Sequence, residues 1–388
     1  MRDCRDRLSR AGSAGPGSAG RSARPWASTT AQDKDPSLLK QLAFRALSWE
    51  PVSRSWTRVT RDRATIFMLH RFRLPGMSHV GHEPKVVEEL LAHFRRYRYQ
   101  LMSLEDAVER LRDPVAPLSR AVVFTVDDGY ADFADVGADV FLAYDCPVTV
   151  FVTTGLIDGV SWHWWDQIEY ACTATAKRAI SVRLDGATHE FVLDSDRARR
   201  DAVEALKMHW GHTTDALRQA LVDDVARAAE VLLPTKPPSQ YGGMSWSTIA
   251  ALERRGVRFG PHTHTHPVLP SADALSSARE IEDSWFILRQ RLAHPAPIFA
   301  YPHGYFGPRE VTTLKSLGLI AAVTTRIDQA CRTDVRSSPN GIFALPRIGL
   351  PFDVTTARLF ASGFERLKDI VRTALPRALE RRQKPVKC

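Results

Sequence analysis

Ala121–Tyr130 reads AVVFTVDDGY. The apolar, β-branched run fits a buried strand. It ends in Asp127 and Asp128, and Gly129 permits a sharp turn there. Two adjacent carboxylates at the mouth of a buried strand are costly, because desolvation and mutual repulsion both oppose the paired charges. Taken alone, the pair also fits an N-cap or an Asx-turn. A bound cation would remove the objection and would need further ligands.

Gly260–Pro267, GPHTHTHP, follows a second strand-like run, Val257–Phe259. His262, His264 and His266 alternate there with Thr263 and Thr265. Imidazole and carboxylate together suit zinc and similar divalent ions. A polar loop is the alternative for the histidines by themselves. With each group at the end of a strand, the two segments together point to a metal site.

These residues carry a family resemblance. The chain resembles a polysaccharide deacetylase of the NodB-homology type (carbohydrate esterase family 4). Thr125–Gly129, TVDDG, is similar to that family's TFDDG motif, with Val126 in place of Phe. His262–His266 matches its H-[ST]-x-x-H motif, and Ala300–Gly304, AYPHG, resembles R-x-P-x-G with Ala300 where the Arg would stand. The likeness runs from about Thr65 to Pro351. It implies an α/β fold, a distorted (β/α)7 TIM-like barrel. It also implies a hydrolase that removes N-acetyl or O-acetyl groups from a polysaccharide or oligosaccharide, aided by a divalent metal ion, zinc being the first expectation.

By the same resemblance Asp128, His262 and His266 hold the metal and leave positions open for water and substrate. Asp127 is the general base, and the backbone N–H of His303 helps hold the oxyanion. His264 falls at an unspecified position of the motif and is not expected to be a ligand. The family's late histidine, which protonates the leaving amine, has no counterpart, so His70, His303 or a metal-bound water is left for that task. Arg347, in LPRIGL, could supply the missing guanidinium from another strand, or could form a surface ion pair. The candidates for substrate contact are His70, Tyr301, Trp165 and Arg347.

Outward from these motifs, strand and helix patterns alternate. Ala64–His70 reads as the first strand, Glu83–Arg98 and Ser103–Arg112 as helices, the latter capped by Ser103. Ala131–Ala143 is helical and Pro147–Thr153 a buried strand. Ser161–Tyr170, SWHWWDQIEY, offers Trp162, Trp164 and Trp165 to a sugar face or to the core. His163 and Asp166 could contact substrate, with nothing in the sequence to fix them there. Residues 177–235 read as a mostly helical insertion, a hairpin around Asp185-Gly186 followed by two amphipathic helices. Ser245–Arg255 and Ser271–Leu292 are helices, Pro297–Tyr301 and Leu319–Thr325 strands, and Arg309–Leu317 a helix closed by Gly318. Gly341–Ile348 holds a last strand. The alternation gives parallel βα units, whose barrels carry active sites on the rim where the strands end.

The division expected is a disordered basic extension over 1–50, including a short helix at Pro36–Trp49, a deacetylase-like domain over 60–355, and a C-terminal helix and basic tail over 356–388. Of 388 residues 44% are hydrophobic, enough for a sizeable core. The net charge of +9 is partly concentrated at the two ends and reads as solvated tails, with no aromatic-studded basic face for nucleic acid. Cys4, Cys146, Cys172, Cys331 and Cys388 are scattered and odd in number, against a disulfide framework or a cysteine zinc site. No apolar run spans a bilayer, and the first residues lack the apolar core of a secretory signal. The expectation is a cytoplasmic location, including the membrane periphery. Oligomeric state is left open. The competing functions are hydrolysis of a small cyclic amide on the same barrel and a non-catalytic glycan-binding module that keeps the metal site.

Overall fold

The computed structural model describes Trp49 and residues 60–74, 80–184, 186–210 and 214–364. The expected N-terminal extension, the helix at Pro36–Trp49 and the basic tail beyond residue 364 lie outside the described residues, Trp49 apart.

The strands in chain order are β1 (Arg63–Leu69), β2 (Gln100–Leu101), β3 (Ala121–Val126), β4 (Val148–Val152), β5 (Ala179–Leu184), β6 (Ala187–Val192), β7 (Arg258–Pro261), β8 (Ile298–Ala300), β9 (Ala321–Val323), β10 (Ala330–Cys331) and β11 (Ile348–Gly349). β1, β3, β4 and β7 lie side by side and parallel; Leu69 faces Val126, and Val126 faces Val150. β8 and β9 form a second parallel pair. β9 meets Leu345 through a parallel bridge at Val323, and Ile348 of β11 pairs with Phe67 of β1. Between β7 and β8 the ladder is open, joined there by a hydrogen bond from Ala296 N–H to the Phe259 carbonyl at 2.7 Å. The parallel strands therefore follow one another around a distorted α/β barrel, with helices in the connections.

Local chemistry explains these elements. All six residues of β3 are buried, as a strand covered on both faces requires. Phe67 and Phe124 pack at 5.5 Å between centroids, and Phe94 of the helix Pro84–Arg96 lies 6.3 Å from Phe124. Each such ring stabilises the fold by about 1.5–3 kcal/mol relative to exposure. Ser103 and Ser245 accept hydrogen bonds from the Asp106 and Thr248 N–H groups, fixing two helix starts.

Several boundaries differ from the sequence reading. The helix expected from Ser271 starts at Ala274, because Asp273 caps it and Leu269–Ser271 forms a 3-10 turn. The helix expected over Ala131–Ala143 contains a π-helical turn, Phe133–Gly137, whose glycine leaves no room for a Cβ beside the Phe72 ring. Gly341–Ala344 is a 3-10 turn, and the last strand is only Ile348–Gly349.

Within residues 177–235, β5 and β6 form the expected hairpin, followed by helices Asp196–Trp210 and Asp215–Ala229. This part has its own core: Val182, Leu206, Leu221 and Val225 pack with Ile168 and Cys172 of the helix Trp164–Ala174. That helix thus joins the insertion to the barrel rim. Cys146, Cys172 and Cys331 are free and buried. No helix among the described residues is long and apolar enough to cross a membrane.

Candidate active site

The rim at the ends of β3, β4, β7 and β8 brings together the residues that the sequence motifs mark. After β3 the chain turns sharply: Asp128 has φ 73° and Gly129 φ 85°. Left-handed backbone is costly for a residue with a Cβ. Eight non-glycine residues among those described adopt positive φ, and four of them, Asp128, Thr263, His266 and His303, belong to this rim. Strain is concentrated where side chains must be aimed.

The two carboxylates meet opposite environments. Asp127 is gripped by Arg347: Nη1 donates to Oδ1 and Nη2 to Oδ2, each at 2.7 Å. Arg347 is fully buried and also donates to the Thr324 carbonyl at 3.0 Å and to Thr125 Oγ1 at 3.1 Å. Burial acts to raise the Asp127 pKa, but the charge of Arg347, with its hydrogen bonds, leaves it below the usual carboxylate value. Asp128, by contrast, has Oδ1 buried without a hydrogen-bond partner. Burial, then repulsion from Asp127 and Asp166, pushes its pKa well above the usual carboxylate value.

His262 Nε2 and His266 Nε2 each lie 3.6 Å from that orphaned oxygen, too far for a hydrogen bond. Donor atoms of Asp128, His262 and His266 all fall within 4.8 Å of one another. His262 Nδ1 is 2.7 Å from the Ala300 carbonyl. A carbonyl only accepts, so Nδ1 carries the proton and Nε2 presents its lone pair to the site. Burial lowers the pKa of His262; burial and then the neighbouring His303, His262 and His163 lower that of His266 further. Both rings are kept as neutral donors. One carboxylate oxygen and two imidazole nitrogens with no hydrogen bonds among them fit a divalent cation of the zinc type.

The histidine loop is held from outside. Glu280, on the helix Ala274–Arg291, accepts from the N–H groups of His264 and Thr265 at 2.9 and 2.8 Å and from Thr265 Oγ1 at 2.6 Å. His264 turns away, its Nδ1 2.9 Å from Thr154 Oγ1. No motif marks Glu280, which lies 15 residues beyond Thr265 on an ordinary helix face.

The substrate candidates divide. His70 Nε2 lies 4.0 Å from Asp127 Oδ2, and its side chain keeps 40% of its exposure, so it stands at the open edge. Trp165 is half-buried, with its ring edge-on to His266 and His303 at 5.1 and 6.1 Å. Tyr301 is corrected: it is fully buried, stacked on Phe306 at 4.5 Å, and belongs to the core. Arg347 is corrected as well. It is neither a substrate contact nor a surface ion pair but a guanidinium supplied from another strand, fully buried and bonded to Asp127, Thr125 and Thr324. Trp162 packs on Tyr170 and Tyr241, and Trp164 against the insertion's core.

His303 follows β8 with φ 56°, and its ring lies 4.8 Å from that of His266. Arg218 of the insertion reaches its Nε2 at 3.2 Å, so the insertion takes part in shaping the rim. His163 also comes to the site. It is 4% exposed and its Nε2 is 4.0 Å from Asp128 Oδ1. The helix behind it is fastened by Tyr130, whose hydroxyl donates to Asp166 Oδ2 at 2.6 Å and accepts from Trp165 Nε1 at 3.1 Å.

Comparison with known proteins agrees with this arrangement. The sequence model of the family described as Polysaccharide deacetylase matches residues 115–322. No curated protein sequence matches the chain. Among solved structures, the Streptococcus pyogenes deacetylase PplD in complex with acetate superposes with a TM-score of 0.51 at 18% identity, over 78% of this chain and 99% of that one. IcaB from Ammonifex degensii superposes with a TM-score of 0.50 at 14% identity, over 78% and 97%. At such identities the likeness is one of fold. The family match covers more than half of the sequence and includes the aspartate pair and the histidine loop, and the chain belongs to the polysaccharide deacetylase family of carbon–nitrogen hydrolases.

Proposed function

We propose that the protein removes N-acetyl groups, or O-acetyl groups, from a polysaccharide or oligosaccharide with the help of one divalent metal ion, zinc by preference. One observation carries this reading: adjacent carboxylates in opposite environments, Asp127 gripped by Arg347 and Asp128 with a buried, unpaired Oδ1 beside two imidazoles. Environments that push two neighbouring groups apart mark a division of labour between them.

Asp128, His262 and His266 would hold the cation. Bound there, it supplies Lewis acidity, making water more acidic and polarising the acyl carbonyl. Asp127 Oδ2 accepts the proton of the attacking water, and Arg347 keeps that carboxylate in one orientation. The backbone N–H of His303 donates to the oxygen on which charge develops. His70, at the open edge 4.0 Å from Asp127 Oδ2, would carry a proton towards the departing amine. The products are acetate and a free amine, or a free hydroxyl from an ester. Trp165 offers its half-exposed ring to the sugar. A glycan-binding module without catalysis would have no use for Asp127 and its buried arginine, which contribute nothing to holding the ion.

The test is acetate release from N-acetylglucosamine oligomers and a panel of O-acetylated glycans by wild type, Asp127→Asn and Asp128→Ala. Wild-type release, abolished in both variants, is expected. Undiminished turnover by Asp127→Asn removes the general base, and silence of the metal-loaded wild type on every substrate removes the deacetylase reading.

A further inference from the structure

We propose that His163 is a further catalytic residue, an acyl-binding group whose Nε2–H donates to the acetyl oxygen of the substrate and to the acetate product. This rests on the metal-dependent reading above and adds a contact outside the three motifs that carry the family resemblance.

Three imidazole nitrogens face Asp128 Oδ1: His262 and His266 at 3.6 Å and His163 at 4.0 Å. Only the first two complete a set with mutual distances within 4.8 Å. His163 therefore lies beside this set of donors without belonging to it. Its Nε2 is buried and has no hydrogen-bond partner. A buried ring nitrogen left unpaired is costly, and the cost is recovered when a polar group of a ligand reaches it.

The ring is not there by accident of packing. It stacks on Trp165 at 4.4 Å with 13° between planes and stands edge-on to His266 at 5.1 Å. Trp165 is in turn tied to Tyr130, and Tyr130 to Asp166, so the whole turn is clamped to the loop that carries Asp128. A neutral imidazole offers an N–H without bringing a positive charge towards a cation. A small oxygen ligand fits that chemistry: an acyl oxygen would accept the N–H of His163 beside the residues that would hold the cation.

The experiment uses the metal-loaded full chain and two variants, His163→Phe, which keeps the stack on Trp165, and His163→Gln, which keeps a donor. Metal content, acetate affinity by calorimetry and steady-state kinetics are measured on each, with thermal melting as the check on folding. The expected result is one bound metal per chain in all three proteins, acetate affinity reduced about tenfold in His163→Phe, the loss of one hydrogen bond of about 1.4 kcal/mol, and partial recovery in His163→Gln. Acetate affinity of a folded His163→Phe within twofold of wild type overturns the proposal. Loss of the metal from His163→Phe also overturns it, making the residue a ligand. A wild type that binds no metal at all fails the underlying reading as well, and so is told apart from failure of His163 alone.

Discussion

Arg347 and Asp127 meet through two parallel hydrogen bonds of 2.7 Å, across 220 residues of sequence and entirely inside the protein. A guanidinium matches a carboxylate edge to edge, which fixes the orientation of the acid as well as its charge. Position 300 is an alanine, and the guanidinium that meets Asp127 comes from late in the chain, where Arg347 directly precedes β11.

Replacing Arg347 separates charge from geometry. Arg347→Lys keeps a cation but loses the fork, so kcat is expected to fall by about 100-fold with little change in KM, the scale of a displaced catalytic group. Arg347→Ala leaves a buried carboxylate without its partner and should destabilise the fold by about 3–5 kcal/mol. Steady-state kinetics on the first variant and urea unfolding of the second check these outcomes. Equal kinetics for Arg347→Lys and wild type would deny the arginine its positioning role.

The orphaned oxygen of Asp128 predicts opposite effects of one mutation with and without metal. Stripped of metal, the protein holds a carboxylate that burial, Asp127 and Asp166 all disfavour. Asp128→Asn removes that charge, so the chelator-treated variant should melt at or above the temperature of the chelator-treated wild type. Adding zinc at a hundredfold excess over its Kd should stabilise wild type by about 2.7 kcal/mol and the variant hardly at all. Differential scanning calorimetry with and without chelator reads both. A wild-type melting temperature indifferent to zinc would argue against the cation.

Glu280 has no contact with the metal donors themselves, yet it should matter to them. It accepts from two backbone N–H groups and one hydroxyl of the histidine loop. Glu280→Ala frees a loop whose Thr263 and His266 are held at positive φ, and weaker preorganisation should reduce zinc affinity about tenfold. Glu280→Gln keeps one acceptor and should lie between. Competition against a colorimetric chelator measures the affinities; unchanged binding in Glu280→Ala would mean the loop holds its own shape.

Much of this site is readable from the chain because its residues sit next to strand ends. The DDG turn and the HTHTH loop announce themselves, since packing alone gives no reason to end a hydrophobic run in paired acids or alternating histidines. Other parts depend on closure of the barrel. Arg347 is legible as the missing guanidinium only through the family resemblance and against a surface ion pair, because its two-residue strand is too short to show alternation. His163 sits in a tryptophan-rich turn where packing and function look alike, and only the unpaired Nε2 separates them. Tyr301 misleads in the same way: a tyrosine in a motif looks exposed until its ring is found stacked on Phe306.

Asp166 gives the pH dependence its clearest sign. Burial, opposed by Arg71 and by the Tyr130 hydroxyl, raises its pKa to about 7 in the metal-free protein. Unfolded, the same group titrates near the ordinary carboxylate value of about 4. Between those two pH values the folded state holds a proton that the unfolded state has lost, so this group's contribution to stability falls as pH rises from about 4 to about 7, then levels off. Asp166→Asn keeps an acceptor for Tyr130 and removes the titration. The difference in unfolding free energy, wild type minus Asp166→Asn, should therefore decline across that window, by an amount on the order of a few kcal/mol. Urea unfolding of both metal-free proteins at several pH values measures it. A difference independent of pH would mean that Asp166 stays ionised in the folded protein, with Arg71 and Tyr130 outweighing its burial.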